Sequence, residues 1–524
     1  PMYCRCGGRV VVAAMPDQWF LNYGDPTWKS LAWECLNSMR IVPGKYRKLF
    51  EDTFEWLEMR PVARKRGLGT PLPFDREWVI ESLSDSTIYM AFYTIAHIIK
   101  GEGIRAEQLK PELFDYVFLG RGDADEVSRI TGIERGVIER MRREFEYWYP
   151  NDHRHTAIGH ITNHLSFFVF HHAIIFPREL WPRMITLNEY VIREGAKMSK
   201  SRGNVLPLVE IPRRYSADLF RLYVVSTASL DTAVDWREEQ VRVVLGRMRA
   251  FWNKALEIIE ASRGVREPGE LSLASRWALS RLNTMVREAT EHLESMRLRE
   301  YAVLAFYEIL NLVSRYESMA AEVDGDERRW TLRRILEVWV RLLAPLIPHM
   351  AEELWERMGM EGFVSVAAWP EADEGMIDRE LEAAVEAVER TVEDVKEIVA
   401  ATSGKYSRAY IYVGPEDWAY EVLRIASGDG SRGVKEVLRE AMSRPEIRRH
   451  GKRVVGLVQA IFEGKVPRTP VGREVELRTF RELRGYISRR VGMEVVVEEA
   501  TNPSYDPAGK SRAALPLKPG IYLE

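Results

Sequence analysis

The 524-residue chain is poor in cysteine, with only three residues of this type, Cys4, Cys6 and Cys35. So few thiols exclude the disulfide framework that stabilises many small secreted domains. The run C-x-C-G-G at residues 4–8 supplies at most half of a zinc knuckle, whose other ligands would have to lie upstream. We therefore favour ordinary thiols over zinc and predict no metal ligands in the chain.

The sequence also lacks a secretory signal and any apolar run long enough to cross a bilayer. We therefore expect a cytoplasmic protein without a membrane partner. Hydrophobic residues make up 46% of the chain. A chain of this length and composition is expected to form roughly three or four domains, each with its own core.

The chain has little net charge, −3 in total, but the charge is unevenly distributed. Residues 431–490 contain sixteen Lys and Arg against seven Asp and Glu, an excess of nine positive charges. This excess predicts an anionic partner, because contacts with phosphates release counterions. Solvated helix faces would produce the same pattern. The candidate contacts are Arg448, Arg449, Lys452, Arg453, Arg489 and Arg490.

The periodicity of the sequence divides the chain into four predicted segments: a connective segment of residues 1–75, an α/β segment of residues 76–237, a helix bundle of residues 238–400 and a small α/β module of residues 401–524. In the second segment, Glu134 to Tyr147 has a helical pattern. Three short apolar runs after it favour strands. These runs are Phe167 to Phe170, Ala173 to Phe176 and Met184 to Leu187.

Residues 197–201 read K-M-S-K-S and are followed by Arg-Gly-Asn. Two ammonium groups in one short turn can hold the β- and γ-phosphates of ATP and offset the charge that develops as pyrophosphate leaves. A solvated basic loop is the alternative interpretation. The context of the motif, a strand and a Gly-containing turn before it and Gly-Asn after it, favours the phosphate-binding interpretation.

This loop resembles the KMSKS loop of class I aminoacyl-tRNA synthetases. Four further segments resemble leucyl-tRNA synthetases of the archaeal and eukaryotic type, in the order found in that family. They are R-K-R-G-L-G-T-P-L-P from Arg64, W-V-I-E-S-L-S-D-S-T-I-Y-M-A from Trp78, Y-S-A-D-L-F-R-L-Y from Tyr215 and the run from Asp506 to Glu524. The family's H-I-G-H motif and editing domain are not in this sequence. We therefore expect a C-terminal half, either a fragment or one subunit of a split enzyme that needs an N-terminal half.

The resemblance implies the second half of a class I Rossmann-like catalytic domain, an all-α anticodon-binding bundle and a C-terminal tRNA-binding α/β module. It implies ATP with Mg²⁺ as a substrate complex, leucine and tRNA-Leu as the other substrates, and Lys197 and Lys200 as catalytic residues. Gly195 and Gly203 would let the loop move. Further ATP-binding residues would be Met198, Ser199 and Ser201, and the leucine pocket would contain Asp85, Ser86, Tyr89, Tyr93 and His164.

One departure from the family concerns the run H-T-A-I-G-H at residues 155–160. Where the family has roughly H-S-G-K-D, this chain has Ala157, Ile158 and Gly159, so the acid expected to bind the adenosine ribose is missing. A buried hydroxyl that loses its acceptor costs about 1–3 kcal/mol. The alternative function is therefore a degenerate paralogue that binds tRNA without activating an amino acid. A synthetase for another aliphatic amino acid is a further alternative.

Overall fold

The computed structural model describes residues 2–4, 7–11, 16–199, 203–402, 404–428 and 432–524. The chain forms two compact units, one of Pro1–Met198 with Ala228–Asp235 and one of Ser199–Thr227 with Trp236–Glu524. The four-segment division stays a prediction. Among the helices in these ranges, none combines the length and apolar character that a membrane span requires.

The first unit is a mixed α/β structure. Its elements in chain order are β1 (Met2–Tyr3), β2 (Arg9–Val10), β3 (Phe20–Asn22), α1 (Pro26–Ser38), β4 (Arg40–Val42), α2 (Arg47–Trp56), β5 (Met59–Pro61), β6 (Ala63–Arg64), β7 (Val79–Ile80), α3 (Ser82–Asp85), α4 (Tyr89–Gly101), α5 (Pro111–Leu119), α6 (Ala124–Thr131), α7 (Arg135–Trp148), β8 (Arg154–Ala157), α8 (Ser166–Ile175), β9 (Met184–Asn188), β10 (Val191–Arg193) and β11 (Ala196–Lys197).

A three-stranded parallel sheet of order β4–β9–β8 organises this unit. Ile41 of β4 pairs with Ile185 of β9, and His155 of β8 pairs with Thr186. The central strand β9 is buried over Ile185 to Leu187, as expected for a parallel strand covered on both faces. The parallel α/β architecture predicted from the alternating pattern is confirmed.

Two of the three predicted strands are wrong. The runs Phe167 to Phe170 and Ala173 to Phe176 fall almost entirely within helix α8, and only Met184 to Leu187 forms a strand, β9. Seven of the ten residues of α8 are buried, and the two exposed ones, Ile174 and Ile175, are apolar, so the helix lacks the polar face that would reveal a helical period. A short run that is apolar throughout does not distinguish a buried strand from a buried helix. Helix α7 forms as predicted, within one residue at each end.

The second unit is mainly helical. Its elements in chain order, with β12 at its boundary, are α9 (Ile211–Arg214), α10 (Ala217–Thr227), β12 (Val234–Trp236), α11 (Glu238–Ala261), α12 (Leu273–Glu294), α13 (Leu298–Ala302), α14 (Ile309–Met319), α15 (Gly325–Leu343), α16 (Pro348–Arg357), α17 (Arg379–Thr402), β13 (Arg408–Val413), α18 (Asp417–Ser427), α19 (Val434–Ser443), α20 (Pro445–Arg448), α21 (Gly451–Phe462), α22 (Arg473–Glu482), α23 (Arg484–Val491), β14 (Glu494–Glu499) and β15 (Gly520–Leu523).

Helices α11 to α17 form the predicted bundle around buried aromatic residues such as Trp277 and Trp339. Prolines mark the helix ends after α15: α15 stops at Leu343 and α16 begins with Pro348. The buried carboxylate of Asp218 accepts hydrogen bonds at 2.8 Å from the Met350 amide and from Nδ1 of His349. Asp218 therefore satisfies amide donors at the start of α16 that the helix itself leaves unpaired.

The C-terminal module contains a mixed sheet in which β13 lies parallel to β14 and antiparallel to β15. Glu476 of α22 is completely buried behind this sheet. Its carboxylate accepts a 2.6 Å hydrogen bond from the Tyr420 hydroxyl and a 3.0 Å hydrogen bond from the Leu517 amide. Burial raises the pKa of Glu476 from its ordinary 4.5 to about 7, although these hydrogen bonds and the nearby Arg390 oppose the shift.

We predict that Glu476 makes the stability of this module pH-dependent near neutrality. Because the pKa is higher in the folded state, the stabilisation is complete below about pH 4.5 and is lost as pH rises through about 7, by up to roughly 1.4 kcal/mol per pH unit. Glu476→Gln should remove this slope from urea unfolding curves measured between pH 5 and pH 8. The exposed neighbour Glu474→Gln should keep it, and equal slopes in both variants would contradict the prediction.

Candidate active site

A tight β-hairpin carries the first residue of the K-M-S-K-S run. Strands β10 and β11 pair Ile192 with Lys197 and Arg193 with Ala196, and the two turn residues, Glu194 and Gly195, have φ angles of 48° and 74°. Positive φ at both positions is typical of a two-residue hairpin turn and favours glycine. The Gly195 amide also donates a 3.0 Å hydrogen bond to Asp235. The hairpin therefore holds the exposed Lys197 on a short, defined strand.

The rest of the motif is only partly described. Met198 and Ser199 follow β11 without regular structure, and the Ser199 amide donates a 2.8 Å hydrogen bond to the side-chain oxygen of Asn204. Lys200 and Ser201 lie outside the described residues. Gly203 has a φ of 65°, so the chain turns sharply there. The roles assigned to this loop stay predictions.

Two of the five predicted pocket residues come together directly. His164 lies in a π-helical turn, Ile161–Leu165, and its Nδ1 is 3.2 Å from the hydroxyl of Ser86. The other ring nitrogen, Nε2, lies 2.6 Å from the guanidinium of Arg154, a residue that no sequence motif indicated. Burial, Arg154 and His160 together lower the pKa of His164 to about 4. The imidazole is therefore neutral at physiological pH.

The two predicted tyrosines lie at the start of α4 and contact each other. Their rings meet edge-to-face with centroids 5.0 Å apart, and both are accessible, Tyr93 more so than Tyr89. The guanidinium of Arg154 lies 5.9 Å from the centre of the Tyr89 ring, so Tyr89 belongs to the same group as His164. Asp85 is exposed at the end of α3, and desolvation together with Glu81 raises its pKa. The structure places His164 and Tyr89 beside Arg154, Ser86 on the other side of the His164 ring, and Tyr93 against Tyr89.

Arg154 could have been found from the sequence only by a weak signal. It follows a polar run, N-D-H, and is the first residue of β8. A charged residue that opens a strand of a buried parallel sheet needs a specific partner, but the sequence does not identify that partner.

The departure at Gly159 has a structural counterpart in Tyr190. A Cβ atom placed on Gly159 would lie 2.6 Å from the Tyr190 hydroxyl and 3.6 Å from the next ring carbon. Gly159 follows β8 and Tyr190 follows β9, so both lie past the carboxyl ends of neighbouring parallel strands. The Tyr190 hydroxyl occupies the space that a side chain at position 159 would enter.

The six basic residues predicted to contact tRNA fall into two groups. The first group, Arg448, Arg449 and Lys452, lies exposed around the junction of α20 and α21, and among the described residues these three form no ion pair with a carboxylate. The second group is engaged within the protein. Arg453 pairs with Glu416 at 3.0 Å and lies over the Trp418 ring.

Arg489 and Arg490 of α23 also belong to the second group. Arg489 forms an ion pair with Glu322 of the bundle, and Arg490 lies 3.3 Å from Glu393 of α17. These contacts attach the C-terminal module to the bundle. Their predicted role in RNA binding stays a prediction.

Comparisons with known proteins match the same architecture. The family described as "tRNA synthetases class I (M)" matches residues 128–245, and "Anticodon-binding domain of tRNA ligase" matches residues 275–410. A "Leucine--tRNA ligase" of Staphylothermus marinus is 45% identical over 530 residues, which cover 99% of this chain and 53% of the relative. Those of Methanothrix thermoacetophila and Pyrococcus furiosus are each 42% identical, over 100% and 99% of this chain and 54% of each relative.

The chain belongs to the leucine–tRNA ligase family. It spans about half the length of the curated relatives it matches. Among solved structures, the methionyl-tRNA synthetase of Mycobacterium tuberculosis bound by methionyl-adenylate is similar, with a TM-score of 0.50 and 15% identity over 65% of this chain and 62% of that chain. This likeness supports the class I fold. The resemblance stated from the sequence motifs is confirmed at the level of the family.

Metal ligands were not predicted, and within the described ranges no group of three or more His, Cys, Asp or Glu residues is arranged to hold a metal ion. The half zinc knuckle includes Cys6, which lies outside the described residues.

We predict a measurable coupling between positions 159 and 190. Gly159→Ala should destabilise the protein because its methyl group requires the Tyr190 ring to move. Tyr190→Phe removes the close oxygen, so the double variant should recover part of the stability, with a coupling of about 0.5–3 kcal/mol in urea unfolding. As a control, Gly136→Ala on α7, where a methyl group has room, should combine additively with Tyr190→Phe. Additivity for Gly159→Ala as well would contradict the prediction.

Proposed function

We propose that this chain forms part of a leucine–tRNA ligase and contributes the KMSKS loop, the amino-acid pocket and the tRNA-binding segments. The observation that carries the proposal is the 45% identity to such a ligase across 99% of the chain. The clustering of Ser86, Tyr89 and His164 supports it, since these residues were selected from motifs alone. The site of action would be the cytoplasm.

The proposed reaction has two steps. Leucine and ATP give leucyl-adenylate and pyrophosphate, and the leucyl group then passes to the terminal ribose of tRNA-Leu with release of AMP. No protein nucleophile is required, because positioning and charge stabilisation can supply the rate enhancement. Lys197 and Lys200 would hold the phosphates, with Met198, Ser199 and Ser201 shaping the loop, and Mg²⁺ would accompany ATP. The leucine would lie near Asp85, Ser86, Tyr89, Tyr93 and His164.

The four predicted segments would divide this work. Residues 1–75 would connect to the preceding part of the relatives, and residues 76–237 would carry the reacting centre. Residues 238–400 would bind the anticodon arm, and residues 401–524 would bind another part of tRNA-Leu. An N-terminal part with the H-I-G-H and editing functions would be the protein partner.

In the C-terminal module we assign RNA contact first to Arg448, Arg449 and Lys452. These side chains are exposed and have no carboxylate partner within the described structure, so a phosphate would not have to displace one. Arg489 and Arg490 would have to give up ion pairs with Glu322 and Glu393. Contacts with phosphate are then expected to be unequal among the six predicted residues.

The altered position Gly159 is the observation that would favour the second candidate function, a tRNA-binding protein without leucine activation. The comparisons support the enzyme instead, because all the relatives reported above carry the ligase description. An activity measurement separates the two.

We predict leucine-dependent ATP–pyrophosphate exchange when this chain is mixed with the upstream part of the S. marinus relative. Lys197→Met should reduce the exchange about 10²–10³-fold, the usual effect of removing one group that stabilises developing charge. Lys100→Met, an exposed lysine at the end of α4, is the control and should leave the rate unchanged. The absence of exchange in the unchanged mixture, together with intact tRNA binding, would favour the second candidate.

A second prediction concerns the salt dependence of tRNA-Leu binding. The triple variant Arg448→Gln/Arg449→Gln/Lys452→Gln should flatten the slope of log K against log salt by roughly 0.7–0.9 for each phosphate that no longer binds a cationic side chain. Arg489→Gln should change that slope little, and should instead lower the melting temperature because it breaks the ion pair with Glu322. A salt slope more sensitive to Arg489 than to the triple variant would reverse our assignment.

A further inference from the structure

Three side chains from separate elements form a hydrogen-bonded row in the first unit. Arg154 opens strand β8, His164 lies in the π-helical turn after it, and Ser86 follows helix α3. A guanidinium nitrogen of Arg154 is 2.6 Å from Nε2 of His164, and Nδ1 of His164 is 3.2 Å from the Ser86 hydroxyl oxygen. Both ring nitrogens of His164 therefore have a hydrogen-bond partner. Because Arg154 can only donate, it determines which of the two nitrogens carries the ring hydrogen.

Arginine has only donors in its side chain and stays protonated at physiological pH. The nitrogen Nε2 of His164 must then be the acceptor, so it carries a lone pair and no hydrogen. In the neutral ring the single hydrogen lies on Nδ1. It faces the Ser86 oxygen, and the backbone carbonyl of Leu83 also accepts a hydrogen bond from the ring. The hydrogen bonds of the row therefore run in one direction: Arg154 donates to His164, and His164 donates to Ser86.

The charges around His164 keep its ring neutral. Arg154 on β8 and His160 in the preceding turn both oppose a second proton, and burial opposes it more strongly. His171 of α8 interacts electrostatically with the His164 ring. Burial lowers the pKa of His171 to about 4, so His171 is also neutral near pH 7. The Leu83 carbonyl is the one group that favours protonation, and it does not reverse the result.

Arg154 is itself held in place by aromatic rings. Its guanidinium lies 5.1 Å from the centre of the Phe168 ring and 5.9 Å from that of Tyr89. Its Nε is buried and makes no hydrogen bond within the described structure. Cation–π contacts of this kind favour one orientation of the planar group. The donor that faces His164 is therefore preorganised rather than free to rotate away.

We propose that Arg154 is a positioning residue that fixes His164 as the Nδ1–H tautomer, so that Ser86 directs its hydroxyl hydrogen to an acceptor oxygen of the bound amino acid. The inference rests on the proposed function for the identity of the ligand. The Ser86 oxygen already accepts from His164, and within the described structure its hydroxyl has no other hydrogen-bond partner. Its own hydrogen is therefore available to a carboxylate or acyl oxygen, and the half-buried position of Ser86 limits competition from water.

The tautomer can be measured without any catalytic activity. In the full chain labelled with ¹⁵N-histidine, a ring nitrogen with a lone pair and one that carries hydrogen have different chemical shifts. We expect His164 to show a lone pair on Nε2 and hydrogen on Nδ1 throughout the range from about pH 6 to about pH 8. His164→Gln identifies the signals. An Nε2–H tautomer in the unchanged chain would overturn the proposal, whatever the variants do.

Two variants of Arg154 separate a positioning role from a structural one. Arg154→Met should give a mixture of tautomers and a higher pKa for His164, because it removes both the donor and the positive charge. Arg154→Lys keeps a donor and should restore the single tautomer. The signals of His153 and His155, which both face the Thr186 hydroxyl at 2.6 Å, are the internal control for folding. An unchanged His164 spectrum in Arg154→Met would overturn the assignment.

The ligand part of the proposal is tested by leucine binding to the mixture with the upstream part of the S. marinus relative. Ser86→Ala should weaken leucine binding about tenfold, the effect expected from removing one hydrogen bond. Unchanged affinity would overturn the role of Ser86. No leucine binding by the unchanged mixture would contradict the proposed function, whereas the tautomer measurement decides the Arg154–His164 interaction independently.

Discussion

The parallel pairing of β8 with β9 is the constraint on which the candidate active site depends. Parallel strands end at the same edge of a sheet, and ligands of α/β proteins bind at that edge. The chain leaves β8 towards Gly159 and the π-helical turn that contains His164. It leaves β9 towards Tyr190 and the hairpin that carries Lys197. Segments far apart in sequence are therefore placed past one edge by backbone hydrogen bonds alone.

The site combines neutral imidazoles with two cationic side chains, Arg154 and Lys197. Burial removes the charge from His164 and His171, so these imidazoles act through hydrogen bonds rather than as cations. The positive charge beside His164 is carried by Arg154, which is held over aromatic rings, while Lys197 is exposed on a short strand.

Many of the basic residues in the C-terminal region form ion pairs within the protein. The local excess of nine positive charges is visible in the sequence, but much of it is paired in the folded protein. Arg432 and Arg444 lie within ion-pair distance of Glu440, and Arg473 forms an ion pair with Glu499. Arg489 and Arg490 connect the module to the bundle. Among the residues predicted to contact RNA, Arg448, Arg449 and Lys452 are exposed and form no ion pair with a carboxylate in the described part of the chain.

The sequence by itself determined the family, the α/β and helix-bundle classes and the turn before the K-M-S-K-S run, because these depend on local spacing and on motifs of unusual composition. It also selected Ser86, Tyr89 and His164, which the fold brings close together, while their role as a leucine pocket stays a prediction. It did not distinguish helix α8 from a strand, since the helix is mostly buried and its exposed residues, Ile174 and Ile175, are apolar, so no polar face marks its period. Only the tertiary structure decided that Arg154 faces His164, that Tyr190 occupies the space beside Gly159 and that some arginines form ion pairs with carboxylates of the same chain. Each of these facts joins residues that are neighbours in space and not in sequence, so no local pattern encodes them.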